Sequence, residues 1–358
     1  MKKIAIVIAD LELGGGQRSA LNLASVLSKD HEVTVLVFQD KFRQYEVPCK
    51  LVNLDCPDQS SVILKAYNVF KRTWRLRRNF NANNYDHIYS FMESANFPTA
   101  LAAPNALLSV HCNPHELNGY EAFLLRLTYP RAKYIIAVSE DVATLLRNDF
   151  GLKNVTRIYN LVSFDDIQQQ AVEGYTHARP YIVALGRLTE VKRLDLLIDA
   201  YADSKMQKEC DLLLIGEGEV REELEDQIKS LSLENKVILT GSQSNPFKYL
   251  KNAQLLALSS RTEAFPMVLI ESLVLSCPVV ATDCPTGPRE IVIDAENGLL
   301  VENGNKQALS QALDRLYFDK ELLAHCKKSA FNSIQHLSDK RVVKEWLALD
   351  DEQKKASG

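Results

Sequence analysis

Short apolar runs alternate with amphipathic stretches along both halves of the chain. In the first half these runs predict strands at 3–9, 33–38, 87–91, 107–110 and 134–138, and in the second half at 181–185, 211–215, 236–240, 254–258 and 278–281. Helical periodicity predicts helices at 17–29, 192–203, 219–231, 266–275, 306–317 and 320–349. Such alternation is typical of parallel sheets with helices on both faces.

The alternation forms two series of about five strands each, which predicts two domains. The polar segment 163–179, just before Pro180, is the expected break. We therefore predict an α/β fold of two Rossmann-like parallel-sheet domains that face each other across a cleft, over 1–165 and 166–337. The last segment, 338–358, is expected to form a helix that packs back on the N-terminal domain.

Composition narrows the functional classes. The 358 residues are 46% hydrophobic and 25% charged, with a net charge of −4, which argues against nucleic acid as a partner. Seven Cys without C-x-x-C spacing argue against a disulfide framework or a structural zinc site and favour reduced cytosolic thiols. The apolar run that ends at Asp10 predicts a buried strand rather than a signal peptide, and no run is long enough to span a bilayer.

Three glycines, Gly14, Gly15 and Gly16, follow the first strand and precede the first helix. Glycines there let the backbone approach a ligand closely, and the start of a helix favours anions. Read as G-x-G-x-x-G, the motif has Ser19 at its third glycine position, and Asp40 stands where a ribose-binding acid would follow the second strand. An NAD-dependent oxidoreductase and a simple tight turn both remain open on this motif.

Two cations, Arg187 and Lys192, follow the strand predicted at 181–185. A planar guanidinium and an ammonium at the carboxyl end of a strand suit a diphosphate. The alternative is a solvated pair, or an ion pair between Lys192 and Glu190.

The segment 259–271 leads from a strand through a loop into an apolar helix. Pro266 suits the first helical turn, and the free amides near Val268 and Leu269 are expected to face a phosphate. Glu271 lies one turn further on, and a carboxylate on a buried face needs a partner. A ribose diol meets that need; a neighbouring loop capped by Glu271 is the alternative.

These residues together resemble glycosyltransferase family 4, which comprises retaining enzymes of the GT-B fold. The resemblance is carried by the Arg187 and Lys192 pair, by the spacing Glu263-x7-Glu271 and by the loop 287–290. It covers most of the chain and is firmest over 181–301. The segment 283–290 is similar to members that use UDP-sugars and build bacterial surface or lipid-linked glycans.

The resemblance implies a role for each matching residue. Arg187 and Lys192 would bind the donor diphosphate and stabilise the leaving group, Glu263 would contact the donor sugar, and Glu271 would hold the ribose hydroxyls. His111 would lie near the donor sugar, unless it is a cleft histidine without a chemical role. The other donor-binding positions implied are Gly15, Gly16, Gly186, Gly216, Glu217, Ser242, Ala264, Phe265, Pro266, Met267, Val268 and Leu269. Ala264 stands where the family usually has Gly, which is expected to tighten the donor-sugar pocket.

The implied activity is retaining transfer of a hexose or N-acetylhexosamine from a UDP-sugar to a hydroxyl of a glycan acceptor, expected to be polyprenyl-diphosphate-linked. No Asp-x-Asp occurs in the chain, so neither a metal nor another cofactor is expected. A sugar-nucleotide epimerase of the same fold, a non-catalytic nucleotide-sugar-binding subunit and the NAD-dependent oxidoreductase are the alternatives. The expected location is cytoplasmic, at the inner face of the plasma membrane if the next segment binds lipid.

The segment 64–79 contains six basic residues and no acid, and its residues Leu64, Tyr67, Phe70 and Trp74 share helical spacing. It predicts a basic amphipathic helix that contacts an anionic membrane or a lipid diphosphate acceptor. The residues expected to make that contact are Lys71, Arg72, Trp74, Arg75 and Arg78. The alternative is a domain helix with its apolar stripe in the core and its basic face in solvent.

Overall fold

The computed structural model describes residues 1–12, 14–41, 43–58 and 62–356, and their contacts divide the chain into two units. Unit one comprises Met1–Leu161 and the segment from Asp339 onward, and unit two comprises Val162–Ser338. The structure divides the chain after Leu161, four residues before the expected boundary after residue 165.

Unit one is built on a parallel sheet of seven strands in the order β3-β2-β1-β4-β5-β6-β7. The strands are β1 (Lys3–Ile8), β2 (Glu32–Val37), β3 (Lys50–Asn53), β4 (His87–Phe91), β5 (Leu107–Val110), β6 (Tyr134–Ala137) and β7 (Val155–Arg157). Residues 4–8 of the central strand β1 are fully buried, as expected where helices cover both faces of a parallel sheet. The two edge strands, β3 and β7, were not predicted, because they are short and partly exposed and lack a continuous apolar run.

Five helices lie between these strands: α1 (Gly15–Leu27), α2 (Val62–Asn83), α3 (Glu93–Ala102), α4 (Gly119–Thr128) and α5 (Glu140–Asn148). Helix α1 begins two residues earlier than predicted, so that Gly15 and Gly16 form its first turn. Its buried face, which includes Leu23 and Leu27, packs into the core of unit one.

Unit two is built on a parallel sheet of six strands in the order β10-β9-β8-β11-β12-β13. The strands are β8 (Tyr181–Leu185), β9 (Asp211–Ile215), β10 (Val237–Gly241), β11 (Leu256–Leu258), β12 (Val279–Asp283) and β13 (Gly298–Glu302). The edge strand β13 was not predicted; it lies at the edge of the sheet, and its last three residues are partly or fully exposed. Two Rossmann-like parallel sheets are therefore confirmed, although each has more strands than the expected five.

The helices of unit two are α6 (Phe164–Gln170), α7 (Leu194–Asp203), α8 (Arg221–Ser230), α9 (Phe247–Asn252), α10 (Met267–Val274), α11 (Pro288–Ile291), α12 (Lys306–Phe318) and α13 (Lys320–Ser333). The helix predicted from residue 192 instead begins at Leu194, after a 3₁₀ turn over Glu190–Lys192. The break is Arg193, whose φ of +47° is left-handed and interrupts the helical path.

The helical stretch predicted over 320–349 is two helices, because a 3₁₀ turn over Gln335–Leu337 separates α13 from α14 (Asp339–Ala356). Helix α14 packs on unit one, where the Trp346 ring lies 5.3 Å from Tyr89 and 5.6 Å from Phe91, centroid to centroid. Residues 357–358 of the predicted segment 338–358 lie outside the described residues.

In both sheets the strand order reverses next to the first strand of the unit, between β1 and β4 in unit one and between β8 and β11 in unit two. Ligands of open parallel sheets bind beyond the carboxyl ends of the strands at this point. The segments that follow these strands begin at Ala9, Met92, Gly186 and Ser259. The topology therefore places Gly14–Gly16 beside the switch point of unit one, and Arg187, Lys192 and Glu263 beside that of unit two.

Within the described ranges, no helix combines the length and apolar character needed to cross a bilayer.

Candidate active site

The centre of the site in unit two is an ion pair between Lys192 and Glu263. Lys192 Nζ lies 2.6 Å from Glu263 Oε1, and the hydroxyl of Ser260 donates to the same oxygen at 2.6 Å. The side chains are 27% and 11% exposed, so the pair is largely screened from bulk water but reachable. Lys192 thus pairs with an acid far away in sequence, and the alternative pairing with Glu190 is wrong.

Backbone hydrogen bonds fix the two loops that carry this pair. The Ser259 hydroxyl donates to the carbonyl of Lys192 at 2.9 Å, and the amide of Arg261 donates to the carbonyl of Val191 at 2.8 Å. The hydroxyl of Thr286 donates to the carbonyl of Glu263. The ammonium and the carboxylate are therefore held together by their main chains as well as by their charges.

Arg187 is the second predicted cation, and it lies on the surface of unit two. No carboxylate among the residues that the structure describes forms an ion pair with its guanidinium. A small cavity is lined by Gly186, Arg187, Lys192 and the backbone segment Ser259–Ser260, so both cations border one space. That arrangement suits an anion with two charged groups.

The loops that follow β8, β9 and β10 pack against each other beside this cavity. The amide of Gly186 donates to the carbonyl of Ile215 at 3.0 Å, and the amide of Gly216 donates to that of Gly241 at 3.0 Å. Gly216 has a φ of +145°, and a Cβ there would lie 1.9 Å from the Gly186 carbonyl oxygen, so the loops meet only with glycine at this position.

Two other predicted donor-binding residues are more exposed. Ser242 is exposed, and Glu217 forms an ion pair with Arg221 at 2.6 Å. Both lie in the same loop cluster as Gly216, so the structure brings these predicted residues together at the carboxyl edge of the sheet.

The start of helix α10 differs in one respect from the prediction. The Leu269 amide donates to the Pro266 carbonyl at 3.1 Å, because the first turn is tightened to the i→i−3 pattern common at helix ends. The prediction that the Leu269 amide is free is therefore wrong.

Phe265, Pro266 and Met267 are buried. Ala264 and Val268 are partly exposed, and they are the members of this run that remain accessible.

Glu271 lies one turn into α10 and is 1% exposed, as predicted for a carboxylate on the buried face of this helix. A buried carboxylate at this position needs hydrogen-bond partners, because burial of a charge without partners is strongly unfavourable.

In unit one, His111 follows β5 and lies beside the first turn of α1. Its Nε2 is 2.9 Å from the Ser109 hydroxyl, while its enclosed Nδ1 has no hydrogen-bond partner among the described residues. A Cβ placed on Gly16 would lie 2.8 Å from Met92 Sδ and 3.3 Å from His111 Cγ. Burial lowers the pKa of His111 to about 3, so the ring is a neutral hydrogen-bonding group rather than a cation.

The analysis of the sequence missed Glu93, the first residue of α3. Burial raises the pKa of its carboxyl, and nearby hydrogen-bond donors, the backbone amides of Glu93 and His111 and the Cys112 thiol, oppose that rise. Glu93 Oε1 is enclosed without a partner among the described residues. The available signal was an acid placed almost directly after a buried strand.

Two of the basic residues predicted to contact an acceptor or membrane do not face outward. Arg72 is 4% exposed, donates to the Cys56 carbonyl at 2.8 Å and pairs with Asp58 at 2.8 Å. Arg75 donates to the carbonyls of Leu54 and Asp55. The prediction that Arg72 contacts an acceptor or membrane is therefore wrong. Arg75 donates to carbonyls of the same loop. Each guanidinium has five N–H donors and can bond several carbonyls at once.

The apolar stripe of α2 is exposed, contrary to the alternative that buries it in the core. Leu64 is 45% exposed, Tyr67 61%, Phe70 69% and Trp74 54%. Lys71 and Arg78 accompany this stripe, and the Arg78 guanidinium lies 5.8 Å from the centre of the Trp74 ring. The outer face of α2 therefore combines aromatic and basic side chains.

Known families and proteins match this chain over most of its length. The family model described as Glycosyl transferases group 1 matches residues 165–333, and the model described as Glycosyltransferase Family 4 matches residues 13–166. A Campylobacter jejuni protein, N-acetylgalactosamine-N,N'-diacetylbacillosaminyl-diphospho-undecaprenol 4-alpha-N-acetylgalactosaminyltransferase, is 31% identical over 97% of this chain and 99% of its own length. An alpha-1,4-N-acetyl-D-galactosaminyltransferase of the same organism is 26% identical over 99% of this chain and 100% of its own length.

Solved structures share the fold. Anabaena HepE in complex with UDP and glucose superposes with a TM-score of 0.80 at 22% identity, covering 98% of this chain and 100% of that chain. A sucrose-phosphate synthase from Thermosynechococcus elongatus superposes with a TM-score of 0.84 at 16% identity, covering both chains in full. These likenesses confirm the GT-B fold.

Proposed function

We propose that this chain, which belongs to the family 4 glycosyltransferases, moves a hexose or N-acetylhexosamine from a UDP-sugar to a hydroxyl of a polyprenyl-diphosphate-linked glycan, with retention of anomeric configuration. The acceptor class is supported by the two Campylobacter jejuni relatives, whose names specify undecaprenol-linked glycans. The donor class is supported by HepE, whose structure contains UDP and glucose.

The observation that carries the proposal is the meeting of Arg187, Lys192 and Glu263 at the switch point of unit two. In the transfer, the acceptor oxygen bonds to the anomeric carbon while the bond from that carbon to the diphosphate breaks. The electron pair and the acceptor proton pass to the departing diphosphate. Negative charge develops on the diphosphate, and fixed cations at that place stabilise the transition state.

Glu263 complements these cations on the sugar side. Positive charge develops on the donor sugar as the bond breaks, and a carboxylate beside the leaving group stabilises it and binds a sugar hydroxyl. Glu271, buried one turn further on, is the proposed ligand of the ribose hydroxyls. Since Arg187 and Lys192 supply the positive charge, we propose that transfer requires no divalent metal.

The outer face of α2 is the proposed contact with an anionic membrane. Exposed Tyr67, Phe70 and Trp74 suit the interface between head groups and acyl chains, and Lys71 and Arg78 suit anionic head groups. Helix α2 contains no acid that would repel such a surface. An enzyme held there meets a lipid-linked acceptor at high local concentration.

The alternatives have less support. An NAD-dependent oxidoreductase would use Gly14–Gly16 and Asp40, and it leaves the Lys192 and Glu263 pair without a role. Neither this class nor an epimerase is named among the relatives or structures described above.

The test is a donor screen by mass spectrometry with UDP-hexoses and UDP-N-acetylhexosamines, using short-chain polyprenyl-diphosphate glycans as acceptors. We expect acceptor-dependent addition of one sugar residue, unchanged by EDTA, with the anomeric configuration of the donor by NMR. An inverted product removes the retaining mechanism, and activity that EDTA abolishes and Mg²⁺ or Mn²⁺ restores removes metal independence. Epimerised UDP-sugar without acceptor, or oxidation of substrate with NAD, overturns the proposed transfer.

A further inference from the structure

One oxygen of Glu263 carries both of its hydrogen bonds to other side chains. Lys192 Nζ and Ser260 Oγ each lie 2.6 Å from Oε1. No side chain in the described part of the chain is hydrogen-bonded to Oε2. The carboxylate is thus anchored through one oxygen, and the other oxygen is left for a ligand.

Binding of the donor substrate affects the two hydrogen bonds to Glu263, from Lys192 and from Ser260, in different ways. In the proposed function, Lys192 also donates to the diphosphate, so that its ammonium is shared and its bond to Glu263 is weaker. Ser260 has no such second role, because its hydroxyl is enclosed and has no competing partner in the part of the chain that the structure describes. A charged acceptor that loses one donor depends strongly on the donor that remains.

The main chain of Ser260 is itself fixed. The hydroxyl of Thr282 donates to the Ser260 carbonyl at 2.9 Å, and Ser260 is 0% exposed. The preceding Ser259 donates instead to the carbonyl of Lys192. The hydroxyls of these two adjacent serines thus bond to different partners, Ser259 to the main chain of Lys192 and Ser260 to the side chain of Glu263.

We propose that Ser260 is the positioning residue that keeps Glu263 Oε1 in place while Lys192 binds the donor diphosphate, so that Oε2 faces the donor sugar. The assignment rests on the proposed function of this site. Ser260 does not touch the substrate; it acts through Glu263.

The test compares Ser260→Ala with the wild-type enzyme and with Ser204→Ala. Ser204 is a matched control, because it is a buried serine of unit two whose hydroxyl donates to the Tyr201 carbonyl at 2.7 Å at the end of α7. We expect Ser260→Ala to lower kcat by about 10- to 100-fold, the effect of losing a hydrogen bond to a charged group. The Kd for UDP, which lacks the sugar, is expected to stay within about threefold of wild type.

A double-mutant cycle separates positioning from general structure. In the Glu263→Gln background, measured in single turnovers at high enzyme concentration, Ser260→Ala is expected to lower the rate by less than about threefold. A full 10- to 100-fold loss in that background, an equal loss of UDP affinity, or wild-type kcat for Ser260→Ala would each overturn the assignment. A wild-type enzyme without UDP-sugar turnover overturns the proposed function itself, and this assignment with it.

Discussion

Both units present polar side chains at the switch point of a parallel sheet, but they satisfy those groups in different ways. In unit two, Lys192 and Ser260 both donate to the carboxylate of Glu263. In unit one, His111 Nδ1 and Glu93 Oε1 are enclosed without a partner among the described residues. Buried polar groups are normally hydrogen-bonded, and exceptions cluster at functional sites.

This difference indicates that the two units contribute in different ways to ligand binding and to the reaction. A site whose charges are already paired is preorganised, and preorganised charge is what stabilises a leaving group. A site with enclosed and unpaired atoms gains its remaining hydrogen bonds from what binds to it. We therefore propose that unit two supplies the groups that stabilise the leaving group, and that unit one binds a ligand through polar groups such as His111 Nδ1 and Glu93 Oε1.

The largest expected effect is that of Lys192→Ala. Removal of the ammonium leaves the developing diphosphate charge without its nearest fixed cation, so turnover should fall by about 10²- to 10³-fold while the melting temperature stays near wild type. The measurement is steady-state turnover of the UDP-sugar identified in the donor screen.

Lys306→Ala is the matched control, because Lys306 also pairs with an acid in unit two, Asp203 at 2.7 Å, but lies on the exposed start of α12. It should keep wild-type turnover, since exposed ion pairs contribute little. Near wild-type turnover for Lys192→Ala would contradict the proposal that unit two supplies the cation that stabilises the leaving group.

An intermediate effect is expected at the outer face of α2 in unit one. Replacement of both Lys71 and Arg78 by Gln should weaken binding to phosphatidylglycerol-containing vesicles by about tenfold or more, because each basic residue near an anionic surface contributes about 1 kcal/mol. Phe70→Ser and Trp74→Ser together should also reduce it. Co-sedimentation over a salt series measures both.

Phe318→Ser serves as the control for these aromatic substitutions, because Phe318 is 40% exposed and lies in unit two. Its vesicle binding should equal that of wild type. Wild-type binding that is weak and insensitive to salt would discard the membrane contact and leave α2 a solvated helix.

The smallest expected effect concerns the pH dependence of stability in unit one. The pKa of His111 is lowered from 6.5 to about 3 by burial, so the unfolded chain takes up this proton between those values and the folded chain does not. The free energy of unfolding therefore decreases as pH falls from 6.5 toward 3.

His111→Gln removes this contribution, so its denaturant midpoint should fall less steeply with decreasing pH than that of wild type. Urea titrations at several pH values between 4 and 7 provide the comparison. Parallel pH profiles for the two proteins would show that His111 is protonated as readily in the folded chain as in the unfolded one.

The pattern of apolar residues predicted the central strands of both sheets because those strands are buried on both faces. It did not reveal Lys50–Asn53, Val155–Arg157 and Gly298–Glu302, which lie at sheet edges and include partly exposed residues. Edge strands form because a neighbour offers hydrogen-bond partners, and that information lies elsewhere in the chain.

The candidate site follows a similar rule. Residue type and position pointed to Arg187 and Lys192, because charged groups after buried strands stand out, whereas Glu263 was identified through the resemblance to family 4. Ser260 did not stand out, since a loop serine carries no sign of the direction of its hydroxyl. Arg72 was assigned to the wrong face for the same reason: its partners, Cys56 and Asp58, are distant in sequence and became visible only in the fold.

The most direct test of the central claim, that Lys192 in unit two holds the donor diphosphate, is calorimetric titration of wild type and Lys192→Ala with UDP and with UMP. We predict that the substitution weakens UDP binding by about tenfold or more and weakens UMP binding far less, because UMP lacks the second phosphate. Equal UDP affinity in the two proteins would contradict the claim.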